Sequence, residues 1–130
     1  MFTPEQFYTF SLHPHPSVMQ VLASAINAVD AGAAVKNHLR ENPLPNAKRV
    51  FAFGLGKAAC AMTSALADSV KLVEGLVVTK HADPSITPRL RSGRIAVMEG
   101  NHPVPGLRCV NAGTAALKFV SQLTPDDLLV

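Results

Sequence analysis

The stretch Arg49–Met62, RVFAFGLGKAACAM, decides the fold. Val50–Phe53 is a short apolar run of the kind that fills a buried strand. Gly54 and Gly56 follow, then Lys57, then an alanine-rich pattern that puts Ala58, Ala61, Met62, Ala65 and Leu66 on one helical face. A strand, a glycine turn and a helix in that order aim backbone N–H groups and the positive end of a helix at one point. That arrangement suits an anion, and Lys57 stands at its mouth. Gly54-Leu55-Gly56-Lys57-Ala58-Ala59 also fits G-x-G-x-x-A, the relaxed dinucleotide fingerprint. The acid that the fingerprint places after the second strand is absent, since that strand ends Thr79-Lys80-His81. A basic end suits a 2′-phosphate, so an NADP-binding alternative stays open. A Walker A loop is excluded, because Phe51 and Ala58 stand where glycine and Ser or Thr are required. The plainer reading of the glycines is a tight turn without a ligand. Against it, a lysine in the first turn of a helix opposes the helix dipole, which an anion would compensate.

Downstream, Leu76–Thr79 reads as a second strand entered through Gly75, and Lys80–Arg94 as a loop with Pro84, Pro88 and Gly93. Ile95–Met98 is a third strand, and Gly100–Gly106 a turn. Val110, Leu117 and Val120 mark a further helix, and Asp127–Val130 opens another apolar run. Upstream, Pro43 and Pro45 mark a linker. Ser17 is the expected N-cap of a helix carrying Val18, Val21, Leu22, Ala25, Ile26 and Val29. Asp30 ends it and caps a second helix with Val35 and Leu39 on its buried face. Residues 1–16 read as a loose leader. The expected fold is α/β: a Rossmann-like three-layer domain with a mostly parallel sheet, preceded by N-terminal helices. Residues 17–42 form the helical part and 48–130 the α/β part. Both glycine turns fall at strand carboxyl ends, where such sheets bind ligands. Val130 stops inside an apolar run, so the expectation is an incomplete domain, truncated at its C-terminal end.

The 130 residues suffice for one domain or part of one, with 48% hydrophobic and 16% charged residues. A net charge of +3, with the basic residues spread along the chain, argues against a nucleic-acid partner. No apolar stretch approaches the roughly 18 residues of a membrane span, and the start MFTPEQFYTF has neither the basic nor the apolar region of a signal peptide. Cys60 and Cys109 are therefore expected as reduced thiols in a cytoplasmic protein, Cys60 in the core.

Glu99-Gly100-Asn101-His102-Pro103-Val104-Pro105-Gly106 is the second motif. Prolines stiffen it, and His102 offers a hydrogen bond to an oxyanion or a proton-transfer group; a rigid structural turn is the alternative. Lys80, His81, Arg89, Arg91 and Arg94 read as a solvated loop. His81, Asp83 and His102 match no standard metal-ligand spacing, and no metal-ligating residue is assigned. His13 and His15 are expected to be chemically idle.

Taken together, these motifs resemble the N-terminal domain of the type II glycerate kinases, which carry a MOFRL domain at their C-terminus and some of which are labelled hydroxypyruvate reductases. The resemblance rests on AINAVDAGAAVKNHL (Ala25–Leu39), VFAFGLGKAACAM (Val50–Met62), GLVVTK (Gly75–Lys80), EGNHPVPG (Glu99–Gly106) and LTPDDLLV (Leu123–Val130), in the family's order and spacing. It implies transfer of a phosphoryl group from ATP, with Mg²⁺, to the 2-hydroxyl of D-glycerate, giving 2-phosphoglycerate. It implies a catalytic, charge-stabilising Lys57, with Gly54, Gly56 and His102 as substrate- or phosphate-binding residues. The chain departs from the family's turn in two places: Asn101 replaces a usual glycine and Gly106 a usual acidic residue. The family's Ser/Gly-rich loop and cleft-closing second domain are absent from the sequence, so the chain alone is expected to have no measurable kinase activity. A non-catalytic sugar-phosphate-binding module is the remaining alternative.

Overall fold

The computed structural model describes residues 2–7 and 15–130. A 3-10 turn at Pro4–Phe7 precedes α1 (Pro16–Ala28) and α2 (Ala31–Glu41). Then follow β1 (Arg49–Leu55), α3 (Ala59–Ser69), β2 (Glu74–Thr79), α4 (Thr87–Ser92), β3 (Ile95–Glu99), α5 (Leu107–Val120) and β4 (Asp127–Leu129). The strands form one sheet in the order β3-β2-β1-β4, and every neighbouring pair is parallel. In the β1–β2 register Gly54 lies opposite Val77, and in the β1–β4 register Phe51 lies opposite Leu129.

Strands joined by crossovers bury both faces, and two cores result. On one face Ala59 and Cys60 of α3 and Leu90 of α4 pack with Val77 and Ile95. On the other, Phe119 of α5 packs with Phe51 and Leu76, its ring meeting that of Phe51 edge-on at 6.0 Å between centroids. This is the expected Rossmann-like three-layer arrangement, with α2 laid against α3. No single helix among the described residues is long and apolar enough to cross a membrane.

Several local expectations are corrected. α1 starts at Pro16, a position proline favours because its missing N–H is not needed there. Its cap is His15, whose Nδ1 accepts the Ser17 N–H at 3.4 Å, so the cap is not Ser17. α1 buries Met19 and Ala23, while Val18, Val21, Leu22 and Ile26 are exposed; the neighbouring stripe, with its smaller alanine, is the one that packs. The leader is tied down at its start. Asn27 Oδ1 accepts the Phe2 N–H at 2.7 Å, and its Nδ2 donates to the Phe2 carbonyl at 2.9 Å. Residues 8–14, including His13, lie outside the described residues.

Asp30 does cap α2, accepting the Ala33 N–H at 2.7 Å, but Val35 and Leu39 are only half-buried. The stretch 80–94 holds α4, which the prolines obscured: Pro88 sits in the first turn, where a helix tolerates it. Gly75 lies inside β2, where an added Cβ would come within 3.1 Å of Ile95. In α5 Val110 and Leu117 face outward, and Ala112, Ala115, Ala116 and Phe119 face the sheet. Small residues let the helix approach closely, so the inward stripe is the less hydrophobic one by residue size.

Candidate functional site

The strand order reverses direction at β1: β2 and β3 follow on one side and β4 on the other. Open parallel sheets take ligands in the crevice beyond the carboxyl ends at such a switch point. A crevice of about 600 Å³ opens there. Gly54 and Leu55 at the end of β1, Met62 and Thr63 of α3, Leu39 of α2 and Val130 after β4 line it.

Along the same edge run the turns that carry the motif residues. After β1 the chain turns at Gly56, whose φ of +113° is a conformation L side chains rarely adopt. Nothing lies within 4 Å of where its Cβ would be, so the turn faces open space. The Gly56 N–H donates to the Val78 carbonyl at 2.9 Å, tying the turn to β2. Lys57 and Ala58 follow, both exposed, and α3 starts at Ala59 without a side-chain cap. Among the described residues no acceptor takes the Lys57 or Ala58 N–H. Uncapped N–H groups, a helix N-terminus and an exposed lysine thus share one turn, a donor set that fits a phosphate.

Gly54 does different work. An added Cβ there would lie 2.7 Å from Thr63 Oγ1 and 3.2 Å from the Ala59 Cβ. Its place is the close contact of β1 with α3, and a direct ligand contact is not needed to account for it.

After β2 come Lys80 and His81, and after β3 the His102 turn. His102 is exposed, and its peptide bond to Pro103 is cis. Glu99 joins the two segments: Oε1 accepts the Ala82 N–H at 2.7 Å, and Oε2 lies 3.7 Å from an Arg108 guanidinium nitrogen. The Gly100 N–H donates to the Thr79 carbonyl at 2.9 Å. The fold therefore sets Lys57, Lys80, His81 and His102 on turns at the carboxyl edge of three adjacent strands. Asp83 is occupied locally, accepting from both the N–H and the hydroxyl of Ser85, bonds that hold its carboxyl below the usual carboxylate range. Arg89 is not free in solvent; it and Lys36 both pair with Asp68, joining α2, α3 and α4.

Among the described residues, no three His, Cys, Asp or Glu side chains gather as a metal site. Cys60 is buried and Cys109 half-buried, both as free thiols. Sequence reasoning gave no role to Glu99 or Thr63. Their partners lie in other elements, and no spacing rule connects them.

Residues 17–130 match the family described as a domain of unknown function, DUF4147. A protein of Agrobacterium vitis named putative hydroxypyruvate reductase is 35% identical over 85% of this chain and 24% of its own length. The glycerate 2-kinase of Pyrococcus horikoshii is 26% identical over 85% of the chain and 26% of its own length. That of Picrophilus torridus is 25% identical over 87% and 27% respectively. The crystal structure of the PH0495 protein of Pyrococcus horikoshii superposes with a TM-score of 0.69 and 26% identity, over 85% of this chain and 26% of that one. The chain thus spans about a quarter of the length of the relatives it matches. With the family match running through both glycine turns and all four strands, the chain belongs to the DUF4147 family, the N-terminal domain of the type II glycerate kinases.

Proposed function

We propose that this chain is the N-terminal portion of a glycerate 2-kinase, which moves a phosphoryl group from ATP to the 2-hydroxyl of D-glycerate. The observation that carries the reading is the open turn at Gly56–Ala58, where the Lys57 and Ala58 N–H groups, unpartnered among the described residues, meet the α3 N-terminus and the Lys57 ammonium. ATP, when bound, supplies the phosphoryl group. The Lys57 and Ala58 N–H groups bind phosphate oxygens, and the Lys57 ammonium neutralises charge that builds on the phosphoryl group or the substrate carboxylate. His102, on a turn along the same edge, contacts an oxyanion of the substrate. Gly54 belongs to the proposal as the residue that lets α3 approach β1 and so sets where the turn lies. Phosphoryl transfer depends on positioning from several elements, so this chain alone is inactive in the proposal. The reading includes a cytoplasmic setting and no nucleic-acid or membrane partner.

The assay is made on the product of the full reading frame that carries this sequence. ATP-dependent formation of 2-phosphoglycerate from D-glycerate supports the proposal; its absence, with the protein folded, overturns it. A second reading, an NADP-dependent hydroxypyruvate reductase, has the names of the two Agrobacterium vitis relatives in its favour, the second 40% identical over 87 residues. The basic Thr79-Lys80-His81 end of β2 also suits a 2′-phosphate. Hydroxypyruvate-dependent oxidation of NADPH by the same preparation, without kinase activity, would establish it instead.

A further inference from the structure

We propose that Asn101 is the positioning residue of the His102 turn, capping α5 from outside the helix. Only the purpose given to His102 rests on the proposed function. The usual N-cap of α5 is Gly106, which has no side chain to offer. Asn101 Oδ1 instead accepts the Arg108 N–H at 3.0 Å, the second N–H of the helix, which a capping side chain ordinarily satisfies. The backbone of Asn101 is held as well. Its N–H donates to Cys109 Sγ at 3.1 Å, and the thiol lies 3.5 Å from its carbonyl oxygen.

Gly106 makes room for this arrangement. A Cβ there would stand 2.8 Å from Asn101 Oδ1 and 3.1 Å from its Cγ. The Gly106 backbone is extended, with φ −148° and ψ −163°, so any residue could adopt it. Glycine is required at 106 for space alone. The segment 102–105 is an arch whose two feet, Asn101 and Gly106, stand so close that a Cβ on the second would overlap the side chain of the first. His102 leaves the arch directly from the anchored foot.

The test uses the isotope-labelled 130-residue chain, with the His102 ring resonance assigned through a His102→Gln chain. Asn101→Ala should speed Arg108 amide exchange about fivefold, as expected for loss of a cap, and move the His102 resonance to that of an unstructured imidazole. Asn101→Asp keeps an acceptor and should preserve both signals. Gly106→Ala should reproduce the Asn101→Ala result with Asn101 intact. Asn101→Gly combined with Gly106→Asp should restore Arg108 protection. Ile95→Val, which loosens the core elsewhere, should leave the His102 resonance in place. Unchanged Arg108 exchange and His102 resonance in Asn101→Ala would overturn the proposal. Should that chain fail to fold, Gly106→Ala decides, with the same two signals and the same reading. Inorganic phosphate added to the wild-type chain tests the functional reading separately. If it fails to shift His102, the assigned oxyanion contact fails while the role of Asn101 is still judged on the variants.

Discussion

At Gly54 an added methyl group would press on Thr63 Oγ1 and Ala59, whereas at Gly56 it would meet nothing but would require a φ of +113°. The two glycines look alike in the motif, yet one is fixed by packing and the other by backbone conformation. Gly54→Ala should lower stability by about 1–3 kcal/mol through overpacking, and Thr63→Ala in the same chain should recover part of it; urea denaturation of the three chains measures both. Gly56→Ala should cost about 1–2 kcal/mol of conformational strain, with no rescue from any neighbour. The sequence allowed a turn to be placed here, and Lys57 at its mouth. It could not separate the two glycines, because the atom that excludes a side chain at 54 lies nine positions on, across a helix–strand contact.

At the scale of elements, β4 is held to β1 by an ion pair as well as by the ladder. The Arg49 guanidinium donates to Asp127 Oδ1 at 2.7 Å and to Oδ2 at 2.6 Å while lying 5.1 Å from the Phe51 ring centroid. The Thr124 N–H and hydroxyl also donate to Asp127 Oδ2. The Asp127 side chain is only 1% exposed. Its hydrogen bonds with Arg49, and then those with Thr124, hold the carboxyl well below its ordinary value of 3.8. A group with a depressed folded-state pKa stabilises the fold above its unfolded value, and that contribution drains away as pH falls through it toward the folded value. The unfolding midpoint should therefore fall as pH drops from about 5 through 3.8 and below. Asp127→Asn should start lower at neutral pH and show a shallower acid limb; a limb as steep as the wild type would remove this pair as its cause.

Elements differ in how legible they were. β1 and the four-residue run at 127–130 were readable from apolar runs, and Asp30 from its capping chemistry. α4 was hidden, because a six-residue helix beginning beside a proline looks like a loop when only breakers are counted. The inward face of α1 was misread. Large exposed apolar residues such as Val21 and Leu22 outweigh Ala23 in any periodicity count, yet Met19 and Ala23 are the buried pair. The capping role of Asn101 had no readable signal, because its helix begins six residues later.

At the scale of the molecule, three layers bring the turns after β1, β2 and β3 to one edge, beside the crevice between β1 and β4. Asp68, paired with Lys36 of α2 and Arg89 of α4, fastens the helices on that side. This platform offers donors for an anion but, among its described residues, no metal-binding cluster. Phosphoryl transfer needs positioning from several elements, and the chain spans about a quarter of the length of its relatives; alone, given ATP, Mg²⁺ and D-glycerate, it should form no 2-phosphoglycerate, and any sustained turnover would show that the platform suffices.

In the proposed function the Lys57 turn carries the chemistry, and Lys57→Ala in the full reading frame removes its ammonium while keeping the backbone donors. Lys57 is exposed, so the substitution should leave the unfolding midpoint within about 0.5 kcal/mol of the wild type. Turnover of D-glycerate should fall on the order of 100-fold or more, the scale of losing one charge-stabilising group. Near-normal turnover in a folded Lys57→Ala protein would contradict that role.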